Sequence, residues 1–349
     1  MTIKHFSIEY DSINSQNIFT NGDTINGRII VEVSKETPIQ SLTFIGKGNA
    51  RVCWHEYYGQ YSSYYYWSDE KYYEIKQRIL QPDIDFISKG RHVFPFSFKV
   101  PNRTMPSSFK SSVGKIVHKL KAELKQSMKL TKKVKAHFTF VSKADMDIPG
   151  LMEPQFGSTD KKITVFGSGT IAMDVYTKRM GYQPGEDLQV KVKIHNQSSR
   201  DLKPKFVLYE KLSFFAQGKR KLCMQNILKE KLERIDAHSK KVVKKVITIP
   251  RNISPSILNS SIIKLEYRLK IFLDVKYAIN PEIKLPIVVL PALEGPAGQQ
   301  PPGPATYTFE DFGKSKKQSS RKASQSSDLP PPYEAHADYP ALSSQNYRP

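Results

Sequence analysis

The chain has 349 residues, 39% of them hydrophobic and 25% charged, with a formal net charge of +21. That length and composition suit a globular protein with one large core or two medium ones. No apolar run approaches the ~20 residues of a membrane-spanning helix, "MTIKHFSIEYDS" lacks the apolar segment of a secretory signal, and two cysteines, Cys53 and Cys223, offer no disulfide framework.

In chain order, the first clear element is "FTNGDTINGRIIVEV", beginning at Phe19: an aromatic residue, a glycine turn with an acid, then an alternating strand. Next comes "WHEYYGQYSSYYYWSDEKYY" (Trp54 to Tyr73), dense in tyrosine and tryptophan. It reads as a long hairpin with an aromatic loop, or as a protein-contact loop, because Tyr and Trp give binding area at low entropy cost. Stacking on nucleic-acid bases is disfavoured because this stretch itself has three acids against Lys71. In "VFPFSFKVP", Phe94, Phe96, Phe98 and Val100 share one face. In "GKIVHKLKAEL", Ile116, His118, Leu120, Ala122 and Leu124 share a face, with Lys119, Lys121, Glu123 and Lys125 opposite. Between Lys110 and Lys135 nine lysines face Glu123 alone. Either these form a solvated strand face, or Lys115, Lys119, Lys121 and Lys125 contact anionic lipid or phosphate.

The second half repeats the first. "YQPGEDLQVKVKIHN" begins at Tyr182, and a shift of 163 sets Phe19 on Tyr182, Gly22 on Gly185, Asp23 on Glu186 and Ile29 on Val192. Each half then has a strand ending in proline (Val100-Pro101, Ile249-Pro250), a Pro-Ser five residues on (Pro106-Ser107, Pro255-Ser256) and a long strand. This predicts two tandem antiparallel β-sandwiches. "KLCMQNILKEKLERI" (Lys221 to Ile235) has some helical spacing, with strand and loop readings competing. The expected organisation is a first domain over 1–145, a linker over 146–162 rich in Gly, Pro and acids, a second domain over 163–292, and a disordered tail over 293–349 that has too few bulky apolar residues to fold.

No catalytic constellation emerges. The eight histidines show no HExxH spacing, Cys53 and His55 are two ligands without a third, and "FGSGT" (Phe166 to Thr170) lacks the lysine of a phosphate loop. No enzymatic activity, metal or cofactor is expected. The tail carries "DLPPPYEA", where Pro330, Pro331, Pro332 and Tyr333 satisfy PPxY. Prolines hold such a peptide near polyproline II before it binds, which suits the aromatic groove of a WW domain. Tyr339 and Leu342 fit a tyrosine-based sorting signal, and Ser324 in "RKAS" a basophilic kinase site.

The order and spacing of "FTNGDTINGRI", "FPFSFKVP…PSSF…GKIVHKLKA", "GYQPGED" and "SPSIL…IIKLEYRLKIFLDV…EIKLPIVV", followed by a proline-tyrosine tail, resemble the α-arrestins, the arrestin domain-containing proteins. The resemblance covers about residues 5–292 and implies an all-β arrestin fold of two curved sandwiches. It also implies an adaptor whose body holds membrane receptors or transporters as cargo. Its PPxY motif would recruit WW-domain HECT-type ubiquitin ligases, promoting cargo ubiquitination, endocytosis and endosomal sorting. The expected location is the cytoplasm, peripherally at plasma membrane and endosomes. A monomer is expected, with an anionic membrane surface as a further candidate partner and no nucleic acid. Many members carry two PPxY motifs; this chain has one. The alternative is an arrestin-fold trafficking scaffold, akin to a retromer cargo subunit, that recruits no ligase.

Overall fold

The computed structural model describes residues 2–58, 62–81, 84–162, 169–275 and 279–292. The described residues form strands and turns, without a helix. The first eleven strands are β1 (Ile3–Tyr10), β2 (Ile18–Phe19), β3 (Thr24–Val33), β4 (Thr37–Pro38), β5 (Ser41–Tyr58), β6 (Ser62–Arg78), β7 (Phe86–Ile87), β8 (Gly90–Lys99), β9 (Phe109–Lys110), β10 (Gly114–Lys125) and β11 (Lys132–Phe140). The next nine are β12 (Gln155–Lys162), β13 (Thr170–Thr177), β14 (Gly181–Tyr182), β15 (Asp187–Asn196), β16 (Lys203–Ala216), β17 (Lys219–Lys231), β18 (Ser239–Thr248), β19 (Ile263–Asp274) and β20 (Glu282–Val289).

In the first domain the sheet β1-β3-β8 faces the sheet β2-β11-β10-β5-β6, with β9 on β10; in the second, β12-β13-β15-β18 faces β14-β20-β19-β16-β17. The two domains repeat one plan. Adding 163 to the bounds of β2 and β3 gives those of β14 and β15, and adding 149 to β8 and β10 gives β18 and β19. Pairing is antiparallel except for the short contacts of β2 with β11 and β14 with β20.

The repeated glycine-acid turn has one physical cause in both halves. Gly22 and Gly185 adopt φ of 85° and 88°, in the left-handed region where a Cβ is strained. Gly22 N donates to Val100 O and Gly185 N to Ile249 O, tying each turn to the strand that ends in proline. The acid then accepts an amide from three residues back: Thr20 N donates to Asp23 at 2.7 Å, and Gln183 N to Glu186 at 2.7 Å.

The alternation read from the sequence sets the cores. Phe96 and Phe98 are buried and Phe94 partly so, with Phe96 stacked on Phe44 at 4.4 Å. In β10 the predicted inward set is buried throughout, His118 included. His118 Nε2 donates to Pro106 O at 3.2 Å, which leaves Nδ1 to accept from the Tyr73 hydroxyl at 3.1 Å. Both ring nitrogens are thus used by the neutral imidazole, and burial lowers its pKa from 6.5 to about 4.

One sequence expectation changes, and one reading left open is settled. Gln155–Lys162, within the expected linker, is strand β12, paired along its length with β13. As an edge strand, half its residues face solvent, so its Ser, Thr, Asp and Lys content reads as loop. The stretch Lys221 to Lys231 lies in strand β17, not in a helix. Its hairpin with β16 turns through Gln217 and Gly218, both at positive φ, as a tight two-residue turn requires.

Gly22→Ala and Gly185→Ala should each lower stability by about 1–2 kcal/mol through backbone strain, because Gly22 leaves only ordinary contact distances around a new Cβ; urea unfolding checks this. The His118 pKa is lower folded than unfolded, so its contribution is complete above 6.5 and lost as pH falls from 6.5 towards 4. Denaturation across that window should show a loss of roughly 3 kcal/mol, flattened in His118→Gln.

Candidate functional site

The residues expected to bind WW domains (Pro330, Pro331, Pro332, Tyr333), the sorting pair Tyr339 and Leu342, and Ser324 all lie outside the described residues. The lysines Lys115, Lys119, Lys121 and Lys125 lie on β10, and the structure shows what surrounds them.

All four project from the outward face of the sheet, opposite the buried Ile116, His118, Leu120, Ala122 and Leu124. Antiparallel register joins them to further cations. Lys119 sits opposite Lys47 of β5 and His137 of β11, Lys121 opposite Lys135, and Lys115 opposite Arg51. Three acids answer them here. Glu74 pairs with Lys47 at 3.2 Å and lies near Lys71 and Lys76, Glu123 pairs with Lys121, and Asp69 holds Arg51 at 2.6 Å. The excess shows in the titration of the half-buried groups. Burial, then Lys135, Lys47, Lys121 and Lys115, lowers the pKa of Lys119; burial and the same lysine field lower that of His137. In the opposite sense, hydrogen bonding from Lys47 lowers the pKa of Glu74. The face is a field of positive charge across strands, not a run along one strand.

A second constellation joins the domains. The inner faces of β5, β6 and β10 continue past the first core: Ala50, Val52, Trp54, Tyr66 and Ile116 belong to the same buried cluster as Phe214, Leu265 and Tyr267. Trp54 stacks on Tyr66 at 5.3 Å. Around this apolar contact, the Glu70 carboxylate accepts the Ser260 hydroxyl at 2.6 Å and the Ser261 amide at 3.0 Å. The Tyr72 hydroxyl lies 3.1 Å from Glu70 and 3.2 Å from Ser260, and burial raises its pKa. Arg103 donates to the carbonyl of Tyr72 from outside. Gly114 presses on Phe214, whose ring would stand 2.9 Å from a Cβ there. Sequence reasoning missed this clasp. Glu70 and Ser260 stand 190 residues apart, and nothing local marks either as paired.

Catalytic or metal chemistry gains no support. Among the described residues no group of three His, Cys, Asp or Glu is placed to hold a metal, and there is no helix long and apolar enough to cross a membrane. Cys53 and Cys223 are exposed free thiols.

Glu70→Ala should cost about 2 kcal/mol, the range for hydrogen bonds to a charged group. Limited proteolysis of the connector around 142–154 should accelerate, while Glu70→Gln keeps part of the contact.

Comparison with known proteins finds two matching domain models. The family model for the arrestin (or S-antigen) N-terminal domain matches residues 6–147, and that for the arrestin C-terminal domain matches residues 167–292. The human arrestin domain-containing protein 4 is 25% identical over 283 residues, covering 78% of this chain and 68% of that protein. The mouse thioredoxin-interacting protein is 24% identical over 293 residues, covering 82% and 73%. The two sandwiches, their duplicated turns and the shared core at their junction are thus those of an arrestin body, a scaffold for adaptor and trafficking roles, and the chain belongs to the α-arrestin family.

Proposed function

We propose that this α-arrestin is a ubiquitin-ligase adaptor. Its body binds a membrane receptor or transporter, and its tail peptide Pro330-Pro331-Pro332-Tyr333 recruits a WW-domain HECT-type ligase. The observation that carries the reading is this PPxY motif behind a two-domain arrestin body. The motif needs only an accessible, pre-extended peptide. Proline fixes φ near −65°, so little ordering entropy remains to be lost when an aromatic groove takes it.

The mechanism is proximity. Tethering places the ligase beside cargo lysines and raises its effective concentration there, with no chemistry asked of the adaptor. Ubiquitinated cargo then enters endocytic and endosomal sorting, so the protein works peripherally on the cytoplasmic side of plasma membrane and endosomes. With a single motif the chain forgoes avidity worth about 10²–10⁴, and ligase capture is correspondingly sensitive to one residue.

Full-length protein and Tyr333→Ala should be compared in pull-downs blotted for HECT-type ligases and for ubiquitin on the adaptor. Capture by the intact chain and its loss in the variant is the expected result. Equal capture by both, or capture by neither, would favour the arrestin-fold trafficking scaffold that recruits no ligase.

A further inference from the structure

The long hairpin of β5 and β6 has two faces with different fates. Its inner face sends Trp54 and Tyr66 into the core, where they are 4% and 6% exposed. Its outer face carries Cys53, His55 and Tyr57 on β5, and register sets Cys53 opposite Trp67 and His55 opposite Tyr65. Tyr57, Tyr65 and Trp67 are 74%, 62% and 57% exposed, and His55 packs between Tyr57 and Tyr65 at 5.0 and 5.7 Å. Large aromatics left this open, beside a core that buries their neighbours, mark a contact surface.

The next rows of the same outer face are cationic. Beyond Cys53 and Trp67 come Arg51 with Lys115 and Asp69, then Lys71, then Lys47 with Lys119 and Glu74, then Lys76 with Lys121 and Lys135, so that cations outnumber acids along the face. The sequence separates the aromatic stretch from the lysine stretch by some forty residues; the pairing of β5 with β10 makes them adjacent.

We propose that this outward face of β5, β6, β10 and β11 docks on an anionic membrane surface. Tyr57, Tyr65 and Trp67 sit among the headgroups, and the lysines lie over acidic lipid. This goes beyond the ligase reading and does not depend on the tail. Three observations select a membrane over other anions. Tyr and Trp combine an apolar body with a polar tip, the combination that settles at a membrane–water interface. The cations are almost all lysines, which act as point charges over a diffuse field; Arg51, which could recognise a phosphate bidentately, is already forked onto Asp69. The aromatics stand at one end of the face and are not interleaved with the lysines, as successive stacked bases would need.

The protein carries its own reporter. It has two tryptophans, one buried at the domain junction and one exposed on this face. Full-length protein should be mixed with phosphatidylcholine vesicles with and without phosphatidylserine, some carrying brominated acyl chains, and followed by flotation and tryptophan fluorescence. Binding is expected only with phosphatidylserine, weakening with salt, and with bromine quenching that disappears in Trp67→Phe. The pair Lys115→Glu and Lys125→Glu should lower partitioning by about tenfold or more. Trp67→Ala with Tyr65→Ala should lower it at an unchanged thermal unfolding midpoint, and Tyr333→Ala should leave it intact. Equal binding to neutral vesicles, no binding at low salt, or binding that survives both sets of substitutions would overturn the proposal. So would capture of single-stranded RNA or a phosphorylated acidic peptide by this face when vesicles are not bound.

Discussion

The structure depends on one strand serving two cores. β5 runs for 18 residues, and its inner face gives Leu42 and Phe44 to the first domain's core but Ala50, Val52 and Trp54 to the cluster shared with the second. β10 and β6 do the same, with Leu120 and Tyr73 on one side and Ile116 and Tyr66 on the other. Burying apolar surface is the dominant favourable term in folding. A junction built from core-forming strands therefore joins the domains through their own sheets as well as through the connector. The Glu70–Ser260–Tyr72 cluster lies beside this dry contact and satisfies polar groups that the junction would otherwise leave unpaired.

That arrangement leaves the opposite face of the same strands outside both cores. Inward positions of β10 are constrained by packing, down to a histidine whose ring nitrogens are both engaged. Outward positions carry ion pairs such as Lys47–Glu74 and Arg51–Asp69, and lysines accumulate there across three strands; burial first, then these neighbouring lysines, lowers the pKa of Lys119. Such a concentration of like charge opposes folding by self-repulsion. Its persistence beside exposed aromatics is the physical reason to look for a partner on this side.

In the proposed function, the body and the tail divide the labour of an adaptor. The double sandwich would present its surfaces from sheets that share a buried cluster, and the proposed tail peptide would need no fold of its own to be recognised. The arrestin family is one of non-enzymatic adaptors.

The sequence by itself determined what short-range patterns can encode. Period-two alternation named the inward residues of β8 and β10, because successive side chains of a strand must point to opposite faces. The repeated glycine-acid turn disclosed the tandem domains, since only glycine accepts the φ of 85° and 88° that both turns need. What only the tertiary structure decided was every relation between distant strands. Polar Gln155–Lys162 became an edge strand because β13 offered it a ladder, and Lys219–Lys231 followed β16 despite its helical spacing. Glu70 met Ser260 across 190 residues, and the lysines of β10 came to lie beside Trp67 and Tyr65 through β5. Register across a sheet is set by which apolar faces must be buried together, and that is a property of the folded whole.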